Sequence, residues 1–368
     1  MAIISGGNGV RTQGTAKPII INGSMDVSQR STSAASLTGQ AYNTVDRWKT
    51  NIYSAGTWTQ TQESLSTANL NTTGHTRALK MDCTTADGSL ASDDAIHLQT
   101  RLEAQDCQLF KYGTASAEKL TLSFWVKATK TGTNIVEAYQ FDDDRICCLS
   151  YTVSSSDTWE KKILNFPADA TGVIDNNTGP GLSFNFYMAA GTDYTSGTLA
   201  TTWASRTDAN RAVGQVNHAD STSNNFHLTG VQLEIGEFDS TTLPSFQHED
   251  YADNLQRCQR YLSINGNTTA ITGSCNGATQ FNSATLYIPT PMRATPEVSN
   301  LSTCHCWFDD GTAFGDTSVS VADIKHIQGS NSIYFNINSL SGMTDNKMAS
   351  GYVGTGGDST KIQWDAEL

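Results

Sequence analysis

The feature that most constrains this chain is an alternation of apolar and polar residues with a period of two. The segments LTLSFWVKA at 120–128 and LSFNFYMAA at 182–190 carry an apolar side chain at every second position. This spacing is typical of an antiparallel strand that buries one face and leaves the other in water. Both segments are therefore predicted to be half-buried strands, with Phe124 and Phe186 facing inward.

A third segment, FHLTGVQLEI at 226–235, changes phase in its middle. Phe226 and Leu228 share one phase, whereas Val231 and Leu233 share the other. One extra residue in a strand exchanges its faces, which is the effect of a β-bulge. We therefore expect a bulge at Thr229-Gly230.

Composition extends the strand pattern to the whole chain. Charged residues make up 16% of the 368 residues, and 30 are glycine, whereas a typical soluble domain has about 25% charged residues. Short strands separated by Gly, Asn, Asp and Ser clusters indicate a β-sandwich or jelly roll. The predicted fold is all-β, with an antiparallel jelly-roll sandwich over 21–247 and a smaller C-terminal β-sandwich over 263–368.

One segment has helical spacing instead. In HEDYADNLQRCQRYL at 248–262, apolar residues recur every three or four positions and acidic residues lie near the start, where the helix dipole favours them. We expect a single short helix that joins the two β domains. Residues 1–20 are Gly-rich and polar, which is typical of an arm that orders on a partner. A short strand at Ile19–Ile21, followed by an Asn22-Gly23 turn, is expected to begin the ordered chain.

Charge and hydropathy exclude several classes of partner. A net charge of -13 opposes binding to a phosphate backbone, so no nucleic-acid partner is expected. No apolar run approaches the roughly 18 residues of a membrane span, and MAIISGG lacks the features of a secretory signal. Eight cysteines in 368 residues are too few for a disulfide scaffold and indicate free thiols in a reducing cytoplasm.

The sequence contains no familiar catalytic or phosphate-binding motif, so an enzyme is not expected. Asp142, Asp143 and Asp144 form an acidic run between two predicted strands. They are weak candidates for a structural calcium site, the alternative being an acidic hairpin turn. No other cofactor is expected, since Cys304-His305-Cys306 lacks the remaining ligands of a zinc site.

Three tryptophans lie in polar, turn-like sequence, namely Trp58, Trp159 and Trp203. An exposed indole beside amides and carboxylates is one way in which proteins bind a sugar, because the ring contacts the apolar sugar face. Large aromatics also seal the ends of β-sandwiches, which is the alternative for each of them. We take the three as candidate glycan-binding residues.

Five motifs occur in order along the chain. They are NGSMDVSQR at 22–30 with YNTVDRW at 42–48, LTLSFWVKATKTGT at 120–133, LTGVQLEIGEF at 228–238, the run from Phe246 to CQRYL at 258–262, and YIPTPMRATPEV at 287–298. Together they resemble a family of tailed-phage tail-fibre and virion structural proteins with a carbohydrate-binding-module-like jelly roll. The resemblance covers about residues 20 to 300. Within YNTVDRW, Asp46, Arg47 and Trp48 are expected to hold the first strands in place, with Arg47 able to pair with a carboxylate.

The resemblance implies a virion component, often a homotrimer, that is assembled in the host cytoplasm and binds a host-surface glycan or receptor. Residues 1–20 would attach it to other virion proteins. A fibre that decorates the capsid rather than the tail is the alternative. A polysaccharide depolymerase is a less favoured hypothesis, for which Glu137, Asp142, Glu160, Asp169 and Asp175 are the available carboxylates.

Overall fold

The computed structural model describes residues 17–265, 269–276, 280–299, 303–308, 313–316, 320–326, 330–338, 348–354 and 362–368. The strands are β1 Ser33–Leu37, β2 Ala41–Tyr42, β3 Lys49–Tyr53, β4 Thr57–Ser64, β5 Arg77–Thr85, β6 Ala95–Glu103, β7 Leu120–Ala128, β8 Gly132–Gln140, β9 Arg145–Val153, β10 Glu160–Phe166, β11 Pro180–Ala190, β12 Ala204–Ser205, β13 Asn225–Ile235, β14 Leu262–Asn265, β15 Thr269–Asn276, β16 Gln280–Tyr287, β17 Glu297–Ser299, β18 Thr303–Phe308, β19 Ala313–Asp316, β20 Ser320–His326, β21 Ser332–Asn338, β22 Met348–Gly354 and β23 Ile362–Asp365. The α-helices are α1 Thr67–Thr73, α2 Thr192–Thr195 and α3 Tyr251–Gln259.

Two antiparallel sheets form the N-terminal sandwich. One has the strand order β1-β4-β5-β13-β7-β10, and the other has the order β12-β9-β8-β11-β6-β3-β2. Aromatic side chains join the sheets across the core. Phe124 and Phe186 meet edge to face with ring centroids 5.1 Å apart, and Trp48 lies 5.9 Å from Phe186. The inward direction predicted for both phenylalanines and the antiparallel jelly-roll sandwich are confirmed.

The expectation that β11 is only half-buried is wrong. Its residues from Gly181 to Ala189 are all buried. Residues 191–216 cover the far side of the seven-stranded sheet at this point, and Ala212 packs there with Ile135 and Tyr187 in a second apolar cluster. In β7, too, Thr121 and Ser123 are buried. Periodicity identifies the core face of a strand, but it does not reveal that a distant loop covers the opposite face.

The predicted β-bulge is present in β13. Its register against β7 shifts between Thr229 and Gln232, and Gly230 has a φ of +60°. Residues on both sides of the bulge reach the same core, because Phe226, Leu228 and Val231 are all buried there.

Replacing Gly230 by alanine is expected to destabilise the fold by about 2–3 kcal/mol, since it combines a left-handed backbone with steric overlap. A Cβ at this position would overlap His75 Nε2. Gly74→Ala is the matched control, because Gly74 also has a positive φ but a Cβ there would point into open space. Thermal unfolding should show a clearly smaller loss for the control, of about 1 kcal/mol. Equal losses would contradict the steric contribution.

The strand predicted at Ile19–Ile21 is wrong, and the chain forms bends and a turn over 19–24 instead. Asn22 fixes this conformation, with a φ of 57°. Its Nδ2 donates to the carbonyl oxygens of Val27 and Asp46, each at 2.9 Å. The turn expected at Asn22-Gly23 is present, and the side chain of Asn22 ties it to the YNTVDRW segment.

Helix α3 lies within the segment for which a helix was predicted. Asp250 caps it by accepting from the amide of Ala252 at 2.8 Å, and Cys258 is buried. The prediction of a single helix missed α1 and α2, which have seven and four residues. Such short helices carry too few apolar residues to show a helical period. In the described part of the chain, no helix has the length and apolarity needed to span a bilayer.

The smaller C-terminal β part contains a three-stranded sheet, β14-β23-β17, and a seven-stranded sheet, β19-β18-β22-β15-β16-β21-β20. Leu286, Ile288, Ile333 and Phe335 are buried, as the alternation predicts. Backbone strand β18 includes Cys304-His305-Cys306, but the side chains of these residues lie outside the described part of the structure.

The last residues of the chain return to the N-terminal sandwich. Arg30 pairs with Asp365 at 2.7 Å, and the buried Arg47 pairs with Glu367. Arg293 donates from Nε to the carbonyl oxygen of Ala366 at 2.8 Å. The carboxylate partner expected for Arg47 is therefore present, 320 residues further along the chain.

The cysteines whose side chains the structure describes are buried and behave as apolar residues. Cys147 belongs to the main core, whereas the adjacent Cys148 belongs to the cluster on the opposite side of the sheet. Burial raises the pKa of the Cys147 thiol to about 12, which keeps it protonated and unreactive at neutral pH. The thiols of Cys83, Cys107, Cys147, Cys148 and Cys258 are free.

Candidate functional site

The candidate site lies on the seven-stranded sheet of the N-terminal sandwich, on the face that points away from the sandwich core. The strand register sets its rows. Opposite one another in one row stand Asn51, His97 and Tyr187, and in the next row stand Lys49, Gln99, Asn185 and Glu137. Residues directly opposite in an antiparallel pair share a face. We call this set, together with Tyr53 and Arg101 on the same strands, the outer face.

Hydrogen bonds fix the polar side chains of the outer face. Gln99 donates from Nε2 to Asn185 Oδ1 at 2.7 Å, and Asn185 donates from Nδ2 to Glu137 Oε2 at 2.7 Å. Arg101 donates from Nε to Gln99 Oε1, also at 2.7 Å. Because each amide both donates and accepts, the rotamers of this chain of side chains are set before any ligand arrives.

One half of the outer face is closed by the segment 191–216. Arg211, from this segment, forms a two-pronged ion pair with the buried Glu137, with Nε–Oε1 and Nη2–Oε2 distances of 2.7 and 3.0 Å. Its guanidinium also lies over the ring of Tyr194 at 5.5 Å. The pair neutralises Glu137 and anchors the covering segment to the sheet.

The other half, over β3 and β6, is more open. The ring of Tyr53 is 38% exposed and stacks on His97, with centroids 6.1 Å apart and planes at 28°. Lys49 and Arg101 are partly exposed further along the same face, and Arg101 lies over the ring of Phe141 at 5.1 Å. This half therefore offers an aromatic surface and two cations on a rigid sheet, over amide side chains that are themselves buried.

His97 is held neutral at the centre of the outer face. Burial, together with the charges of Arg211, Arg101 and Lys49, lowers its pKa to about 3. Neither His97 Nδ1 nor Asn51 Nδ2 has a hydrogen-bond partner among the described residues, and both atoms are buried. An unpaired buried polar group costs free energy.

The three tryptophans proposed from sequence are not brought together. Trp58 is fully buried in the core and donates from Nε1 to the carbonyl oxygen of Ala55 at 2.8 Å. Its predicted exposure is wrong, because its position in β4 directs the side chain between the two sheets. It cannot present a ring face to a glycan.

Trp159 and Trp203 lie nearer the surface but in separate places. Trp159 precedes the edge strand β10, is 8% exposed, and has Lys127 Nζ 5.6 Å from its ring centroid. Trp203 is half-buried and meets Tyr112 edge to face at 5.4 Å. Both contacts resemble the sealing of a sandwich edge. Sugar binding by either residue stays a prediction.

The three aspartates proposed for calcium form a turn between β8 and β9, and they point to different partners. Asp142 accepts from the amide of Asp175 at 3.0 Å, and Asp143 accepts from the amide of Val173 at 2.7 Å. Asp144 accepts from the hydroxyl of Tyr139 at 2.8 Å. Among the described residues, no group of three or more His, Cys, Asp or Glu side chains is arranged to hold a metal ion. The three aspartates lie in an acidic turn, as in the alternative, and calcium binding there stays a prediction.

Two of the carboxylates available to a glycosidase are already occupied by arginines. Glu137 pairs with Arg211, as described above. The buried Asp169 accepts from Arg145 Nε at 2.7 Å and from Arg145 Nη2 at 3.0 Å. A carboxylate whose two oxygens are held in this way by a guanidinium is poorly suited to act as a general acid.

Sequence reasoning missed Tyr53, His97, Gln99 and Arg101 as site residues. The signal of the last three was the polar half of the alternation in AIHLQTRLE, at 95–103. Polar residues on the outer side of a strand normally face water and attract no attention. Only the sheet order places β6 between β3 and β11, which turns separate polar residues into one surface.

No protein-family model matches this chain, and no curated protein matches its sequence. Among solved structures, it is similar to a putative sugar binding protein from Bacteroides thetaiotaomicron, at 13% identity and a TM-score of 0.33, over 60% of this chain and 100% of that one. A family 11 carbohydrate-binding module of a cellulosomal cellulase from Clostridium thermocellum matches at 12% identity and a TM-score of 0.27, over 55% of this chain and 98% of the module. The enzymatically active domain of tailspike protein 4 of bacteriophage CBA120 matches at 10% identity and a TM-score of 0.29, over 59% of this chain. That match spans only 21% of the tailspike chain. At these TM-scores the similarities assign the chain to no family.

Proposed function

We propose that this protein binds a glycan on the open half of the outer face. The observation that carries the proposal is the partly exposed ring of Tyr53, which stacks on His97 and shares its sheet face with amides whose rotamers are already fixed by hydrogen bonds. An aromatic ring contacts the apolar face of a sugar, and planar polar side chains recognise its hydroxyls. Preorganised side chains lose little entropy on binding.

We further propose that the protein acts by binding rather than by catalysis, as an appendage of a phage virion. The ordered motifs between residues 20 and 300 support this setting, with residues 1–20 as the attachment to other virion proteins. A homotrimer would present three copies of the outer face, and multivalency would strengthen weak individual sites. Immunoelectron microscopy of the particle would distinguish a tail fibre from a fibre on the capsid.

Tyr53→Ala is expected to weaken glycan binding at least tenfold, because it removes the aromatic contact and leaves the amide network in place. Binding to a panel of bacterial surface polysaccharides would be measured for the folded variant and the wild type. Tyr287→Ala is the matched control, since Tyr287 is 69% exposed and lies on β16 in the C-terminal part. Wild-type binding by Tyr53→Ala, or loss of binding by the control, would contradict the placement of the site.

A further inference from the structure

Two cations on the outer face have no carboxylate side chain to pair with among the described residues. Lys49 forms no ion pair and no hydrogen bond through Nζ within that part of the chain, and Arg101 forms no ion pair with an acidic side chain there. Arg211, which packs against the same sheet from the covering segment, differs from both, because its charge is matched by Glu137. Two cations without a carboxylate side chain as partner are unusual in a protein whose net charge is -13.

The contacts of Arg101 fix the position of its guanidinium, but none of them is to a carboxylate side chain. Nε donates to Gln99 Oε1, Nη1 donates to the main-chain oxygen of Leu368 at 2.6 Å, and the group lies over Phe141. Nη2 has no acceptor among the described residues. A guanidinium held in one orientation with a free donor is well suited to bind a carboxylate.

Lys49 and Arg101 lie close enough to influence each other electrostatically. Lys49 stands directly opposite Gln99, so Arg101 is its diagonal neighbour on the same face. Burial lowers the pKa of Lys49, and the charge of Arg101 lowers it further. Both cations also lower the pKa of His97. The open half of the outer face is thus a region of positive potential that an anionic ligand would relieve.

The distance along β3 indicates the length of such a ligand. Lys49 and Tyr53 are four residues apart on the same strand and face, which corresponds to about 13 Å at 3.3 Å per residue. This exceeds the span of a single sugar ring. One ring that stacks on Tyr53 and an anionic group that reaches Lys49 must therefore belong to different residues of an oligosaccharide.

We propose that the outer face is specific for an acidic oligosaccharide, with a sugar carboxylate bound between Lys49 and Arg101 and a neighbouring sugar ring on Tyr53. This inference rests on the proposed glycan-binding function and adds the chemical class of the ligand. A uronic acid and a sialic acid both supply such a carboxylate.

The test compares matched acidic and neutral ligands on the full chain. Oligogalacturonate is paired with its methyl ester, and sialyllactose is paired with lactose, so that each pair differs mainly in the carboxylate. We expect the acidic member of at least one pair to bind tenfold or more tightly at low salt, with the preference declining as salt screens the charges. The pair that shows the preference identifies the source of the carboxylate.

Lys49→Met should reduce this preference several-fold, because the aliphatic stem is kept and the charge is lost. Lys119→Met is the control, since Lys119 is an exposed lysine that pairs with Glu237 away from the outer face.

Equal binding of acidic and neutral members would overturn the acidic specificity but leave glycan binding intact. Absence of binding to both members of both pairs would contradict the specificity, and failure on the wider polysaccharide panel would contradict the proposed function itself. A preference that survives Lys49→Met unchanged would overturn the assignment to this cation.

Discussion

Glu367→Ala is expected to destabilise the N-terminal sandwich by about 3–5 kcal/mol, because it leaves a buried arginine without its counter-charge. Arg47 is 1% exposed, and its guanidinium lies 3.4 Å from the ring centroid of Tyr261. Its Nη2 donates to the carbonyl oxygen of Arg101 at 2.7 Å, but Glu367 supplies the only carboxylate that pairs with it among the described residues. Urea unfolding followed by tryptophan fluorescence would measure the loss.

Two further variants separate loss of the ion pair from loss of a side chain. Glu237→Ala removes an exposed carboxylate that pairs with Lys119 and should cost less than about 1 kcal/mol. The double variant Arg47→Met/Glu367→Leu should recover much of the stability lost in Glu367→Ala, since apolar residues often replace a buried pair at little cost. A loss in Glu367→Ala no larger than that in Glu237→Ala would show that Arg47 finds another partner or reaches water.

The second large effect expected is a loss of stability between pH 6.5 and pH 5. His75, His97 and His218 are buried, and burial lowers their pKa values to about 4, 3 and 4. A histidine whose pKa is lower in the folded than in the unfolded state contributes its full stabilisation of the fold when the pH is above its unfolded-state pKa, near 6.5. That contribution declines as the pH falls towards the folded value. At pH 5 each should have lost on the order of 2 kcal/mol.

One buried carboxyl acts in the opposite direction. Burial raises the pKa of Asp46 to about 6, above the ordinary value of an aspartate, so protonation of this group favours the folded state as the pH falls below 6. Three histidines outweigh one aspartate. The free energy of unfolding should therefore still fall by several kcal/mol over this range.

His218→Gln isolates one of these contributions. His218 Nε2 lies 2.8 Å from Asn134 Oδ1, and the glutamine amide can keep a hydrogen bond there without titrating. The slope of unfolding free energy against pH should become shallower between pH 6.5 and 5, whatever the stability of the variant at pH 7.5. His75→Gln should reduce the slope by a similar amount, because the two histidines have similar folded pKa values. An unchanged slope in both variants would show that these histidines are protonated in the folded protein.

Local sequence determined the strands because the side-chain period of a strand is two wherever one face is buried. LTLSFWVKA and LSFNFYMAA form β7 and β11, and the change of phase at Thr229-Gly230 is the bulge in β13. These features depend on neighbours two residues away. A pattern over so short a distance is visible without any knowledge of the sheet order.

The candidate site could not be read in the same way. Trp58 lies among polar residues in sequence but is buried in the core, because alternate positions of a strand face opposite directions regardless of what surrounds them along the chain. Tyr53, Gln99 and Asn185 come from three strands that only the sheet order makes neighbours. A functional surface on a sheet is built across strands, whereas sequence runs along them.

Arg47 illustrates the difference between what local sequence indicates and what depends on the tertiary structure. The sequence indicates that Arg47, between Asp46 and Trp48, is able to pair with a carboxylate, and a guanidinium is costly to bury without one. Its burial and the identity of its partner, Glu367, which follows strand β23 and lies 320 residues away along the chain, depend on the tertiary structure. The requirement is a property of the residue, but the partner depends on how the chain closes upon itself, and no local pattern encodes that.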